Sequence, residues 1–141
     1  VFLCGYPIFK EIYHLESRKA IRSGEPENLV LLTLESKIED EVKELSEYRI
    51  KQAMVVLEQT LKECLRVGDV AAKYSESQFI ILLPTCTYDL ALLVANRIIA
   101  LFYDKEEKLQ NIRIRINVEG VSSADELIEK RNSTTKSKKN K

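Results

Sequence analysis

Two short segments of this chain are almost uninterruptedly apolar, and they limit the possible folds more than any other feature. Residues 28–35 read NLVLLTLE and residues 79–83 read FIILL. Runs of this length are typical of β-strands, and a strand without polar alternation has to be covered on both faces. Residues 112–119 instead alternate Ile or Val with polar residues, which predicts a strand with one exposed face.

The segments between these strands have helical periodicity. Apolar residues spaced three and four apart predict helices at residues 6–23, 38–66, 89–102 and 123–131. The second helix carries two apolar stripes that do not join, so a break is expected near residues 46–49. The last helix is expected to start at Ser122 or Ser123, with Glu126 in capping-box spacing. Residues 70–74 read as one more strand, joined to residues 79–83 by the polar turn 75–78.

Without the first and last helices, the element order is β-α-β-β-α-β, the split-βαβ or ferredoxin-like arrangement. Its usual strand order, 4-1-3-2, puts the two apolar strands in the centre and the alternating strand at an edge. The sequence therefore predicts an α+β fold, an antiparallel sheet with added N- and C-terminal helices. The helix at 6–23, or a partner, is expected to cover the back of the sheet.

Charge divides the chain unequally. The 141 residues suffice for one domain, and the 22 basic groups balance the 22 acidic groups. Residues 131–141 hold five basic groups and no acid, so residues 1–130 carry 17 bases against 22 acids. A domain of that sign lacks the basic surface that binds phosphate backbones, so no nucleic-acid binding is expected. We predict a folded domain over 1–130 and a disordered basic tail over 131–141.

The remaining composition argues for a cytoplasmic fragment without a metal. The three cysteines are far apart, and His14 is the only histidine, so neither a zinc site nor a disulfide framework is expected. No apolar run is long enough to span a membrane. The chain begins with Val1 and has no leader pattern, which indicates a piece of a longer protein.

The segment from Arg66 to Pro84, RVGDVAAKYSESQFIILLP, carries a recognisable pattern. It resembles the core of GGDEF domains, the diguanylate cyclase family. In that family an Arg-x-x-Asp precedes a strand ending in Arg-Tyr, followed by the turn Gly-Gly-Asp/Glu-Glu-Phe, an apolar strand and Pro. Here Lys73 and Tyr74 match the Arg-Tyr. The signature turn is occupied by Ser75, Glu76, Ser77, Gln78 and Phe79. The resemblance implies a nucleotide cyclase-like fold over about residues 6–130.

The same resemblance implies that the cyclase reaction is lost. Members of the family join two GTP molecules into cyclic di-GMP with divalent cations, which prefer carboxylate oxygens. The family's metal-binding acids correspond to Thr33, Glu35 and Ser77, and its acid at the fourth turn position corresponds to Gln78. Side chains at Ser75 and Glu76 replace glycines that let the backbone approach phosphates. The guanine-binding segments should fall at 37–51, where their motifs are missing. No catalytic residue, metal or cofactor is expected; a displaced metal site at Glu35 and Glu76 is the minor alternative.

Arg66 and Asp69 form the Arg-x-x-Asp that is an inhibitory cyclic di-GMP site in many members of the family. An arginine fork binds phosphate or a guanine edge, and an aspartate accepts hydrogen bonds from guanine nitrogens. The pair also suits a helix end followed by a turn, so a structural role is the alternative.

These observations lead to three hypotheses. The first is a catalytically inactive GGDEF-like module in a larger bacterial signalling or transcription-regulatory protein, with other domains of that chain as partners. The second is a cyclic di-GMP receptor acting through Arg66 and Asp69. The third is a homodimerisation domain without ligand, paired through the N-terminal helix or through the strand that contains Arg113.

Overall fold

The computed structural model describes residues 1–131. The strands are β1 (Phe2–Cys4), β2 (Asn28–Ser36), β3 (Val70–Ser75), β4 (Gln78–Leu83) and β5 (Ile112–Gly120). The helices are α1 (Tyr6–Ser23), α2 (Lys43–Cys64), α3 (Tyr88–Lys105) and α4 (residues 125–131). Short 3₁₀ turns at Glu107–Asn111 and Val121–Ser123 flank β5.

The sheet confirms the predicted arrangement and adds one strand. Its order is β1-β3-β4-β2-β5, in which β2 to β5 follow the expected order with β2 and β4 inside and β5 at an edge. All neighbours are antiparallel except β1, which runs parallel to β3. The three residues of β1 are too few to show a period, so this strand could not be predicted from its pattern.

Two helical layers cover the two faces of the sheet, which is why the central strands are apolar on both sides. The front layer is α2 and α3, packed on residues such as Val30, Leu32, Phe79 and Ile81. The back layer is α1 with residues 121–128, where Phe9 and Tyr13 are fully buried against Leu29 and Ile80. The expectation that helix 6–23 covers the back is confirmed.

The predicted start and break of the second long helix are wrong. α2 is continuous from Lys43 to Cys64, and residues 37–42 form a loop before it. Ile38, Val42 and Leu45, the second stripe, are exposed, so they do not form a core face that would require a kink. The loop is instead held to α2 by Arg49, whose Nε and Nη2 donate to the carboxylate of Glu41 at 3.3 and 3.2 Å.

The C-terminal segment also differs in detail from the prediction. Residues 121–123 form a 3₁₀ turn, and α4 begins at residue 125. Ser123 Oγ donates to the carbonyl of Gly120 at 3.3 Å, so this hydroxyl closes the turn and does not cap the helix. Arg131 Nε donates to the carbonyl of Tyr74 at 2.9 Å, which ties α4 to β3. The rest of the predicted basic tail, residues 132–141, lies outside the described residues.

Over the described part of the chain, no helix combines the length and the apolar character needed to cross a membrane.

Candidate functional site

The hairpin between β3 and β4 places the signature turn against the end of β2. Glu76 and Ser77 are the two turn residues, and the strand pairing shifts register between Lys73 and Ser75. The backbone N–H of Leu34 donates to the carbonyl of Ser77 at 2.8 Å. The signature turn and the end of β2, where the resemblance places the metal-binding acids of the family, are therefore adjacent, as a split-βαβ fold requires.

Uncharged side chains close a hydrogen-bond network at this junction. Ser75 Oγ donates to Gln78 Oε1 at 2.7 Å and accepts from the backbone N–H of Ser77 at 3.3 Å. Gln78 Nε2 donates to Thr33 Oγ1 at 2.9 Å. Two positions at which the resemblance expects acids, Thr33 and Gln78, are therefore bonded to each other. Neither presents a negative charge to solvent.

The two carboxylates near the junction, Glu35 and Glu76, have different surroundings. Glu35 Oε1 lies 2.6 Å from Arg115 Nε on β5, an ion pair that neutralises the one acid left at the end of β2. Glu76 is exposed at the tip of the turn. Among residues 1–131, no group of three or more His, Cys, Asp or Glu side chains could hold a metal ion. The hydroxyl and amide groups of Thr33, Ser77 and Gln78 do not supply the anionic oxygens that a divalent cation prefers.

Arg66 and Asp69 are in contact, and the carboxylate of Asp69 is largely engaged within its own loop. Its carboxylate accepts from the backbone N–H of Arg66 at 2.7 Å and from Arg66 Nη2 at 3.3 Å, and the residue is 2% exposed. Arg66 Nη2 also donates to the carbonyl of Pro84 at 3.2 Å. The Arg66 side chain is 63% exposed and borders a concavity of about 330 Å³ with Val67 and Thr85.

Residues 37–51, the segment expected to correspond to the guanine-binding motifs, border a cavity that is separate from the signature turn. Leu45, Tyr48 and Arg49 of α2 line a cavity of about 350 Å³, whose opposite wall includes Leu109 of the turn before β5. None of the signature-turn residues lines this cavity.

A carboxyl pair outside this region, the buried Glu27 and the half-buried Glu16, was not predicted from the sequence. Glu27 is 7% exposed, and its backbone carbonyl accepts from Val121 N–H at 2.9 Å. Burial, followed by a hydrogen bond with Glu16 and the charge of Glu16, raises the pKa of Glu27 to about 7. The two residues are eleven apart on different elements, so only the tertiary structure brings them together.

A family model described as diguanylate cyclase, GGDEF domain, matches residues 51–137, more than half of the chain. The chain belongs to the GGDEF domain family. The match includes Arg66, Asp69 and the signature turn. Comparison with curated protein sequences gives no match.

Solved GGDEF structures have the same fold at low identity. A DGC protein from Thermotoga maritima is 18% identical with a TM-score of 0.62, covering 85% of this chain and 81% of that one. The active GGEEF domain of a diguanylate cyclase from Vibrio cholerae is 15% identical with a TM-score of 0.67, covering 82% and 74%. The predicted α+β, nucleotide cyclase-like fold is confirmed.

A third neighbour was solved with a cyclic dinucleotide. PelD 158-CT from Pseudomonas aeruginosa PAO1, in complex with c-di-GMP, is 17% identical with a TM-score of 0.55 and covers 86% of this chain. This GGDEF domain spans only 41% of that PelD chain. At this identity the likeness establishes the shared fold.

Proposed function

We propose that this GGDEF domain does not make cyclic di-GMP and acts as a regulatory or interaction module in a larger bacterial cytoplasmic protein. The observation that carries the proposal is the closed network of Ser75, Gln78 and Thr33 at the signature turn. A cyclase needs anionic oxygens here to hold cations beside a triphosphate. This junction offers hydroxyl and amide groups that are already bonded to one another.

Electrostatics at the same junction argues in the same direction. Glu35 is the remaining acid of the strand end, and its charge is balanced by Arg115 at 2.6 Å. The exposed carboxylate of Glu76 stands at a turn position where a triphosphate would approach, and like charges repel. A domain that keeps the fold without the cation site retains surfaces for other domains of its own chain, which supports a regulatory role.

The first test is nucleotide binding and turnover. With GTP and Mg²⁺ or Mn²⁺, we expect no saturable heat in isothermal titration and no cyclic di-GMP by chromatography, because the cation ligands are missing. An active GGDEF domain assayed in parallel shows that the conditions support the reaction. Cation-dependent GTP binding with product formation would refute the proposal.

Cyclic di-GMP binding at Arg66 is a second candidate function, favoured by the geometry of that loop. Asp69 holds the backbone and the guanidinium of Arg66, while most of the Arg66 side chain remains open to solvent. A guanidinium fixed in this way can take a phosphate or a guanine edge through its planar fork. PelD, a structural neighbour that shares this fold over part of its chain, was solved in complex with c-di-GMP.

The corresponding prediction concerns the Arg66 side chain. If the site binds, cyclic di-GMP titration should saturate, and Arg66→Lys should weaken binding at least about tenfold because an ammonium lacks the bidentate fork. Arg18→Lys on the exposed surface of α1 makes the same chemical change away from the site and should leave binding unchanged. Absence of binding by the wild type, or equal affinity in both variants, removes this candidate without affecting the first.

A further inference from the structure

β5 is a long strand at an open edge of the sheet. It has nine residues and pairs with β2 on one side, and within residues 1–131 no strand lies on its other side. An unpaired strand edge presents a row of backbone donors and acceptors that another strand can use.

The backbone bonds identify which residues of β5 point outward. Leu34 N–H of β2 donates towards β4, and Lys37 N–H donates to Asn111 on the β5 side. Backbone groups alternate in direction along a strand, so odd-numbered residues of β2 face β5. Their partners in the register are odd too, for example Thr33 with Arg115. The even-numbered residues of β5 therefore turn their N–H and C=O groups outward.

A side-chain contact agrees with this assignment and shows how the edge is used in the monomer. The hydroxyl of Tyr103 donates to the carbonyl of Ile112, the first outward-facing residue. The backbone of Ile114 also forms a hydrogen bond with the Tyr103 hydroxyl. The outward carbonyl groups of Ile116 and Val118 accept no hydrogen bond from a side chain within residues 1–131. The outward groups beyond Ile114 are available for pairing, and at Ile114 the partner strand has to displace Tyr103.

We propose that β5 pairs with β5 of a second copy of this chain, antiparallel about a two-fold axis at Ile116. An isologous edge pairing of this kind joins two five-stranded sheets into one. Ile116 then faces its own copy, and Ile114 faces the partner's Val118, in the hydrogen-bonded positions that the outward groups require.

The side chains of β5 are complementary to themselves in this register. Arg113 lies opposite the partner's Glu119, twice in the dimer, and Arg115 lies opposite the partner's Asn117. Opposite charges on facing strands stabilise pairing, and like charges weaken it. Arg115 is already paired with Glu35, whereas Arg113 forms no ion pair within the described residues, which makes it the cation available to Glu119. On the front face, Ile114, Ile116 and Val118 are half-buried and would become more buried.

The contact is expected to be weak in isolation, because a single strand edge buries less area than a standard interface. A dissociation constant between about 10 µM and 1 mM is therefore expected. Tethering in a longer chain raises the effective concentration of such contacts to the millimolar range, where they become populated.

Charge reversal tests the pairing. Sedimentation velocity between about 10 µM and 1 mM should show a monomer–dimer equilibrium for the wild type. Arg113→Glu should weaken it at least about tenfold, because two attractive pairs become repulsive. The double variant Arg113→Glu with Glu119→Arg should restore the dimer by exchanging the charges. Lys73→Glu, an equal charge change on an exposed residue of β3, should leave the equilibrium as it is.

A monomer throughout the concentration range overturns the proposal. So does a dimer that is insensitive to Arg113→Glu, or one that the double exchange fails to restore. These measurements require no nucleotide, so their outcome is separate from the tests of GTP turnover and cyclic di-GMP binding.

Discussion

Phe79→Ala is expected to lower the free energy of unfolding by about 3–5 kcal/mol, the range for removing a buried aromatic ring from a core. Phe79 is the last residue of the signature turn and is 1% exposed. It pairs with Leu32 of β2 and Lys73 of β3 and belongs to the core under α2 and α3. Truncation would leave a cavity between the central strands and the front helices. Urea unfolding followed by circular dichroism measures the change.

Glu76→Ala is the matched control, because Glu76 is exposed in the same turn. A surface change of this kind is expected to stay within about 0.5 kcal/mol. Phe79→Leu, which keeps most of the apolar volume, should lose less stability than Phe79→Ala and guards against a variant that does not fold. Equal stability of the Phe79→Ala and Glu76→Ala variants would contradict a structural role for Phe79. The two variants therefore distinguish Phe79, the residue of the signature turn that matches the family and packs in the core, from Ser75 and Gln78, which differ from the family and form hydrogen bonds near the surface.

The central sheet could be predicted because its signals are local and repeated. Residues 28–35 and 79–83 are apolar throughout, since each strand is covered by helices on both faces. Apolar and polar residues alternate from Ile112 to Glu119 because β5 lies at the edge of the sheet and its back face is open to solvent. α1 ends at the predicted boundary because Gly24 follows it at φ +73°, a left-handed conformation that glycine accepts without strain.

The features that escaped prediction depend on contacts between distant segments. The start of α2 was misplaced because Ile38, Val42 and Leu45 have helical spacing but lie on the surface, where spacing does not determine the fold. The Glu35–Arg115 pair joins two strands eighty residues apart. At the signature turn, the residue types indicated that carboxylates were missing. The mutual bonding of Gln78 and Thr33 became visible only with the strands assembled.

The half-buried Glu16 on α1 and the buried Glu27 at the entry to β2 form a carboxyl pair. The backbone of Glu27 also bonds to the turn after β5. One buried oxygen of each carboxyl group has no other hydrogen-bond partner in residues 1–131, so a proton held between them satisfies both. Burial is the main cause that raises the pKa of Glu27 to about 7, followed by its hydrogen bond and charge interaction with Glu16. Lys19 lowers this pKa and Glu25 raises it, both with smaller effects.

The sign of the pH dependence follows from this raised pKa. An unfolded glutamic acid loses its proton near pH 4.5, whereas Glu27 in the folded protein keeps its proton up to about pH 7. The folded state therefore holds an extra proton between these values, and its stability falls as pH rises through that window. Above pH 7 the loss is complete, and we expect it to amount to about 1–3 kcal/mol.

Glu27→Gln should abolish this loss, because a neutral amide can still donate to Glu16 and never ionises. The variant is expected to match the wild type near pH 4.5 and to exceed it by about 1–3 kcal/mol at pH 8 in urea unfolding. Glu39→Gln, an exposed change in the loop before α2, should run parallel to the wild type at every pH. Glu16→Gln should remove only part of the effect, since burial of Glu27 remains. Parallel curves for Glu27→Gln and the wild type, with a carboxyl NMR titration of Glu27 near pH 4.5, would show that the two acids do not share a proton.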